Sequence, residues 1–230
     1  MVYTALVAGE TIIVDKRSAS SMENNSWKTK PTDRFVLKWI KLNLSARITP
    51  RLLAWPWLSP WQITLSSALL GSLAGLVFAL GAGWLAGIIA AAAQVLDGVD
   101  GQYARLTGRV SKGGAFWDSV LDRYADGAMV IGLVVYLVRL PFSLSPGILI
   151  FFGSLALIGC NLISYSSARA ETLGLELGPP TLASKGTRTS VMILCAFFSF
   201  IWSGLPLVAL FYLVIHPNGT VFFRLLKTRE

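Results

Sequence analysis

Six apolar stretches, each long enough to cross a bilayer, leave few architectures open to this 230-residue chain. A spanning helix needs ~20 residues at ~1.5 Å rise each. The stretches run over about 61–81, 85–106, 114–138, 146–168, 187–203 and 205–223. Backbone groups in hydrocarbon must be paired within their own segment or in a closed barrel, so runs of this length predict helices. Glycine and proline mark the breaks, at Gly81-Ala82-Gly83, Leu140-Pro141, Ser145-Pro146, Gly178-Pro179-Pro180 and Ser203-Gly204-Leu205-Pro206. Composition agrees: 14% of residues are charged, against ~25% in soluble domains. The expectation is an all-α polytopic membrane protein with its six-helix domain over 58–230.

Charge sets the expected orientation. Of the 20 Lys and Arg, all but Arg123 and Arg139 fall before the first stretch, in the connections after the second and fourth or in the ends of the stretches that border them (Arg105, Arg188), or at the C-terminus. Basic residues stay on the cytoplasmic side, so both termini are expected there. A net charge of +8 distributed this way argues for membrane topology, and nucleic acid is excluded as a partner. Trp61, Trp84 and Trp202 sit near the expected interfaces. Residues 33–57 alternate Phe35, Val36, Trp39, Ile40 and Leu44 with Lys38, Lys41, Arg47 and Arg51. That spacing predicts an amphipathic helix on the membrane surface. Residues 1–32 hold short apolar patches broken by charge, without the pattern of a secretory signal, and are expected to be a soluble leader with little fixed order. Cys160 and Cys195 are read as small packing residues and His216 as an interfacial polar group.

Against this apolar background, five aspartates crowd between residues 97 and 126: Asp97, Asp100, Asp118, Asp122 and Asp126. A carboxylate at a helix centre costs at least ~2.5 kcal/mol on insertion scales, and neighbouring carboxylates repel one another. Arg105 and Arg123 are too few to neutralise them. A divalent cation is sufficient, and hard oxygen donors suit Mg²⁺, Mn²⁺ or Ca²⁺. Asp97 and Asp100 are three apart and Asp118 and Asp122 four apart, so each pair is expected on one helix face. Gly98, Gly101, Ala104, Gly114 and Ala115 leave room there for a neighbouring backbone or a ligand.

The run Asp97-x2-Asp100-Gly101-x2-Ala104-Arg105-x8-Gly114-x3-Asp118-x3-Asp122 resembles the signature of the CDP-alcohol phosphotransferases. The resemblance implies Asp97, Asp100 and Asp118 as metal ligands of a site with two Mg²⁺ or Mn²⁺ ions, shared by Asp122. It also implies Asp122 as the general base and Asp97, Gly101, Ala104 and Arg105 as contacts of the CDP moiety. Ser59-Pro60-Trp61-Gln62-Ile63-Thr64 is similar to the family's Pro-Asn-x-x-Thr, with Trp61 in place of Asn and Thr64 kept as a nucleotide contact. The implied reaction moves a substituted phosphate from a CDP-alcohol to a small alcohol and releases CMP. A homodimer in the cell membrane, with its site facing the cytoplasm, is implied as well.

For the acceptor, 164–171 and 185–188 supply Arg169, Lys185 and Arg188, with Lys112 in an earlier connection; these cations are expected to grip an acceptor phosphate. The stretch resembles that of family members using inositol phosphate. Lys30-Pro31-Thr32-Asp33 resembles the junction into the membrane domain of bifunctional members acting on CDP-inositol. The donor alcohol is left open among CDP-diacylglycerol, CDP-archaeol and CDP-inositol, with glycerol phosphate or serine as other acceptors. A cation or proton transporter is the rival class. It places acids near the bilayer midplane and gives no reason for Gly101, Ala104 and Arg105 at fixed spacing.

Overall fold

The computed structural model describes residues 2–7 and 10–15 by their backbone, and 27–29, 35–141, 144–177, 181 and 183–228. The expected features at Lys30-Pro31-Thr32-Asp33 and Gly178-Pro179-Pro180 lie outside the described residues. Within the leader, β1 (Val2–Val7) and β2 (Glu10–Asp15) pair antiparallel, Val7 opposite Glu10.

From Phe35 onward every described element is helical, in line with the all-α expectation. The order is α1 (Phe35–Ile40), a π-helical turn (Lys41–Ser45), α2 (Ala46–Leu52), α3 (Pro60–Ala79), α4 (Gly83–Leu106), α5 (Lys112–Val138), α6 (Pro146–Leu173), α7 (Lys185–Phe197), a 3₁₀ turn (Phe198–Phe200) and α8 (Pro206–Lys227).

Among the described residues, α3, α6 and α8 are long and apolar enough to cross a membrane. The 24-residue α4 and 27-residue α5 have the length, but their carboxylates and Lys112 lower their hydropathy. The stretch expected as a fifth span forms only the 13 residues of α7 before the 3₁₀ turn tightens the chain. Thirteen residues rise ~20 Å, short of a ~30 Å hydrocarbon core.

Two compact units emerge, one within Met1–Leu70 and Ala92–Tyr124, the other within Gly71–Ala91 and Ala125–Glu230. In the first, the helix expected over 33–57 ends at Leu52, and turns carry the chain through Trp55 and Trp57. Its apolar side chains divide: Ala46, Ile48 and Leu52 pack on the small core around Tyr103, while those nearer its start turn outward. Val36, Trp39, Leu42 and Leu44 are exposed, while Lys41, Ser45 and Thr49 are buried. The reason is a polar seam on α4. Ser45 Oγ donates to the Val95 carbonyl at 2.8 Å, and the Thr49 hydroxyl lies 2.6 Å from Gln102 Oε1. Gly98 is what admits Ser45: a Cβ there would overlap its side chain. Trp27, Leu53, Ile63, Val99, Tyr103 and Leu106 form a small apolar cluster beside the seam.

The second unit is built on apolar contact. Phe78, Leu133, Leu137, Leu149, Leu210 and Leu213 are buried in one core. There α3 and α5 meet backbone to backbone: a Cβ on Gly132 would run into the Gly75 carbonyl, and one on Gly75 into the Ala128 carbonyl. Small residues drive such contacts in lipid, where burial of apolar surface gives helices no advantage over tails. The free thiols of Cys160 and Cys195 are buried in this core, as expected of packing residues.

Candidate active site

The two halves of the acidic run sit on α4 and α5, joined by a turn in which Gly108 has φ +67°. That left-handed conformation favours glycine over residues with a Cβ, so the hairpin closes at this position. Ser111 then caps α5, its Oγ accepting the Gly114 N–H at 3.0 Å.

The hairpin brings three carboxylates together. One oxygen each of Asp97, Asp118 and Asp122 lie within 4.8 Å of one another, all three side chains half-buried. Gln94 Nε2 donates to Asp97 Oδ2 at 3.4 Å, and Arg123 lies 3.6 Å from Asp122. Three anionic oxygens in this space are a donor set for a divalent cation with oxygen preference. Asp118 and Asp122 share a face, as their spacing predicts. Asp97 and Asp100 are close enough to repel one another but have different partners. Three residues advance a helix by ~300°, leaving ~60° between the side chains. That turns Asp97 toward Asp118 and Asp122, and Asp100 toward α3. There Thr64 Oγ1 donates to Asp100 Oδ2 at 2.5 Å, and the Gly101 N–H donates to Oδ1. Asp100 is buried by this arrangement. Asp126, the fifth acid, lies 3.6 Å from Arg188.

Beside the carboxylates opens a cavity of about 830 Å³, within the size range of small-ligand sites. Thr64, Asp100, Gly101, Ala104, Arg105 and Asp118 line it. The residues expected at a nucleotide therefore share one cavity, Asp97 excepted. Gly101 is small for a local reason: a Cβ there would meet Arg105 Nη1 at 3.3 Å. The room that sequence assigned to helix packing or a ligand divides between these uses: Gly98 receives Ser45, while Gly101 and Gly114 line the cavity.

Several residues of this site have no signal in the sequence pattern. Trp117 lines the cavity together with Trp61, and nothing in its spacing separates it from an interfacial tryptophan. Arg109 lines it too and donates to the Leu58 carbonyl at 2.9 Å. Of the cations expected at an acceptor phosphate, Lys112 begins α5 and is exposed, and Arg169 is exposed on α6. Lys185 begins α7. Arg188 is buried, donates from Nη1 to the Ala183 carbonyl at 2.6 Å, and points Nη2 toward Asp126 without a hydrogen bond.

A helical chain with spanning helices and a carboxylate cluster beside a glycine-lined, arginine-bearing cavity defines a class: membrane transferases working on phosphate esters. The chain belongs to the CDP-alcohol phosphatidyltransferase family, whose profile matches residues 57–222. It is 36% identical over 154 residues to archaetidylinositol phosphate synthase of Pyrococcus horikoshii, covering 66% of this chain and 77% of that one. It is 35% identical over 137 residues to the bifunctional IPC transferase and DIPP synthase of Thermococcus kodakarensis, covering 60% of this chain and 30% of that longer one. Crystal structures of Mycobacterium tuberculosis phosphatidylinositol phosphate synthase, one with CDP-DAG bound and one with manganese and citrate, share its fold. Both have a TM-score of 0.69 and 24% identity over 79% of this chain, and cover 92% and 87% of theirs.

Proposed function

We propose that this enzyme transfers a substituted phosphate from a CDP-alcohol to a hydroxyl of inositol phosphate, releasing CMP. The convergence of Asp97, Asp118 and Asp122 beside the cavity lined by Gly101, Ala104 and Arg105 carries this reading. The relatives support the acceptor, being named archaetidylinositol phosphate synthase and, for the fold neighbour, phosphatidylinositol phosphate synthase, the latter with CDP-DAG bound.

In the reaction, the acceptor oxygen attacks the phosphorus that bears the donor's alcohol. The bond from that phosphorus to the oxygen of CMP breaks, and CMP departs with the electron pair. Asp122 takes the acceptor's proton as the new bond forms; a weak base suffices when transfer accompanies attack. Asp97, Asp118 and Asp122, with Asp100 as fourth carboxylate, hold Mg²⁺ or Mn²⁺, two ions being the proposed number. Bound there, the cations neutralise charge on the pyrophosphate. A fold neighbour's manganese supports this metal class. Arg105 adds a fixed positive charge at the nucleotide's phosphates, and Thr64 orients Asp100. Arg169, Lys185, Arg188 and Lys112 are each proposed as cations for the acceptor's phosphate.

Six membrane segments, the fifth made of α7 together with the 3₁₀ turn that follows it, α1–α2 lying on the membrane surface, cytoplasmic termini, a cytoplasm-facing site and a homodimer complete the proposal. Outward Val36, Trp39 and Leu42 support the surface helix, being apolar side chains that only a lipid interface accommodates at low cost.

The test is CMP release by purified protein with Mg²⁺ or Mn²⁺. CDP-diacylglycerol, a CDP-archaeol lipid and CDP-inositol are offered in turn, each alone and with inositol phosphate, glycerol phosphate or serine. Release that needs metal, one donor and inositol phosphate is expected. Release only with glycerol phosphate or serine would replace the acceptor, and no release from any combination would remove the transfer reading.

A further inference from the structure

Among the described residues of the leader, one behaves like core. Trp27 is 3% exposed and sits among Leu53, Ile63, Val99, Tyr103 and Leu106. A buried indole of this size anchors whatever backbone carries it. That backbone makes two hydrogen bonds, both to α4. The Trp27 carbonyl accepts from Arg105 Nε at 2.8 Å. The Lys28 carbonyl accepts from Gln102 Nε2 at 2.8 Å. The same Gln102 amide donates to the Lys41 carbonyl at 2.9 Å, and its Oε1 faces the Thr49 hydroxyl. One side chain thereby ties leader and surface helix to the helix that carries Asp97 and Asp100.

Arg105 is the residue whose chemistry this affects. A guanidinium is planar, with its donors in a fixed fork. Holding Nε–H on a carbonyl fixes that plane and restricts where the terminal nitrogens point. Here Nη1 lies against Gly101, at the wall of the cavity. Without the carbonyl, Arg105 keeps its charge but loses one fixed restraint on the plane of its guanidinium, and binding must then supply that ordering.

We propose that Trp27 and Lys28 form a strap in which the Trp27 carbonyl positions Arg105 for the donor's phosphates and the Lys28 carbonyl, held by Gln102, keeps the strap in place, Trp27 being a positioning residue. The proposal rests on the reading of this cavity as the nucleotide site. It gives the leader a part in donor affinity that the family's signature, which begins at Asp97, does not contain.

Binding of CDP in the presence of Mg²⁺, measured by calorimetry on the full chain, tests it without need of acceptor or turnover. Trp27→Ala is expected to weaken CDP by about tenfold, the scale of one charge-assisted hydrogen bond, with Mg²⁺ binding alone unchanged. Trp27→Phe, which keeps an aromatic anchor, is expected to restore most of the affinity. On an Arg105→Ala background, Trp27→Ala is expected to add nothing. Gln102→Ala frees the Lys28 carbonyl while leaving the indole buried, and is expected to weaken CDP about threefold, again only when Arg105 is present. It decides the matter if Trp27→Ala fails to fold. Wild-type CDP affinity in Gln102→Ala and Trp27→Ala, or equal losses with and without Arg105, overturns the strap alone. A wild-type chain that binds no CDP, or an Arg105→Ala chain that binds it normally, overturns the nucleotide reading and the strap together.

Discussion

The two compact units bury opposite kinds of group. In one, Lys41, Ser45, Thr49, Asp100 and Gln102 are buried and linked by hydrogen bonds. In the other, buried leucines and a phenylalanine fill the interior, and Gly75 and Gly132 let two helices touch. Polar burial is costly unless every group finds a partner. It is retained where direction matters, because a hydrogen bond fixes orientation and an apolar contact does not. The first unit therefore reads as the part that aims side chains, and the second as the part that holds helices together. Substitutions in the first should appear in binding and turnover with stability nearly intact, and those in the second should do the reverse.

The largest expected effect is at Asp122. Asp122→Asn removes the proposed base while keeping size and hydrogen-bonding capacity. CMP release should fall by about 10²–10⁴-fold, the usual contribution of a positioned base, while CDP binding and thermal stability in detergent stay near wild type. Turnover within a few fold of wild type would remove Asp122 from that role.

Gly132→Leu should give the mirror image. Its side chain would displace the Gly75 backbone, and overpacking of this kind costs about 1–3 kcal/mol. The readout is a lower melting temperature, with CDP affinity unchanged in the protein that remains folded. A variant as stable as wild type would mean that the glycine contact does not hold these helices.

The same division explains what the sequence disclosed. Charge in an apolar run is conspicuous, so the aspartates between 97 and 126 were legible from composition and spacing, whereas Gly101, Ala104 and Arg105 were legible as nucleotide contacts only through the resemblance of the run to a family signature. Spans at α3, α6 and α8 were legible as well, because length and hydropathy are local properties. Partner choice is not local. Asp97 and Asp100 look equivalent in the sequence, and only Thr64, 36 residues away, separates them. The helix over 35–52 was legible as amphipathic, yet its buried face is set by Ser45, Thr49 and Gln102, so the apolar side chains nearer its start turn outward. Trp27 has no periodicity around it to mark it as core. The stretch at 187–203 has the hydropathy of a span, but its helix stops at Phe197 and a 3₁₀ turn follows.

Arg188 is the exception that can sharpen the comparison. It is a buried cation in the apolar unit, beside Asp126. If it serves only as a structural partner, Arg188→Ala leaves Asp126 without its cation, and the loss is of stability. If it grips the acceptor's phosphate, the acceptor KM should rise about tenfold with CDP affinity unchanged. A KM equal to wild type beside a lowered melting temperature would assign Arg188 to scaffolding alone.

The smallest expected effect lies at Thr64, and it probes the aiming unit most directly. Thr64→Val keeps the shape and deletes the hydroxyl that donates to Asp100. Asp100 then loses one of its two hydrogen bonds while remaining buried. A net hydrogen bond is worth about 1 kcal/mol and one to a charged group somewhat more, so CDP affinity should fall by roughly three- to tenfold. Thr64→Ser, which restores the hydroxyl, should recover it. The contrast between these two variants matters more than either alone. If valine and serine bind CDP equally, then orientation of Asp100 by Thr64 contributes nothing to the nucleotide, and burial alone holds that carboxylate in place. If only valine fails, a single hydroxyl on α3 sets the direction of a carboxylate on α4, a control that apolar contacts such as those of Gly75 and Gly132 cannot exert.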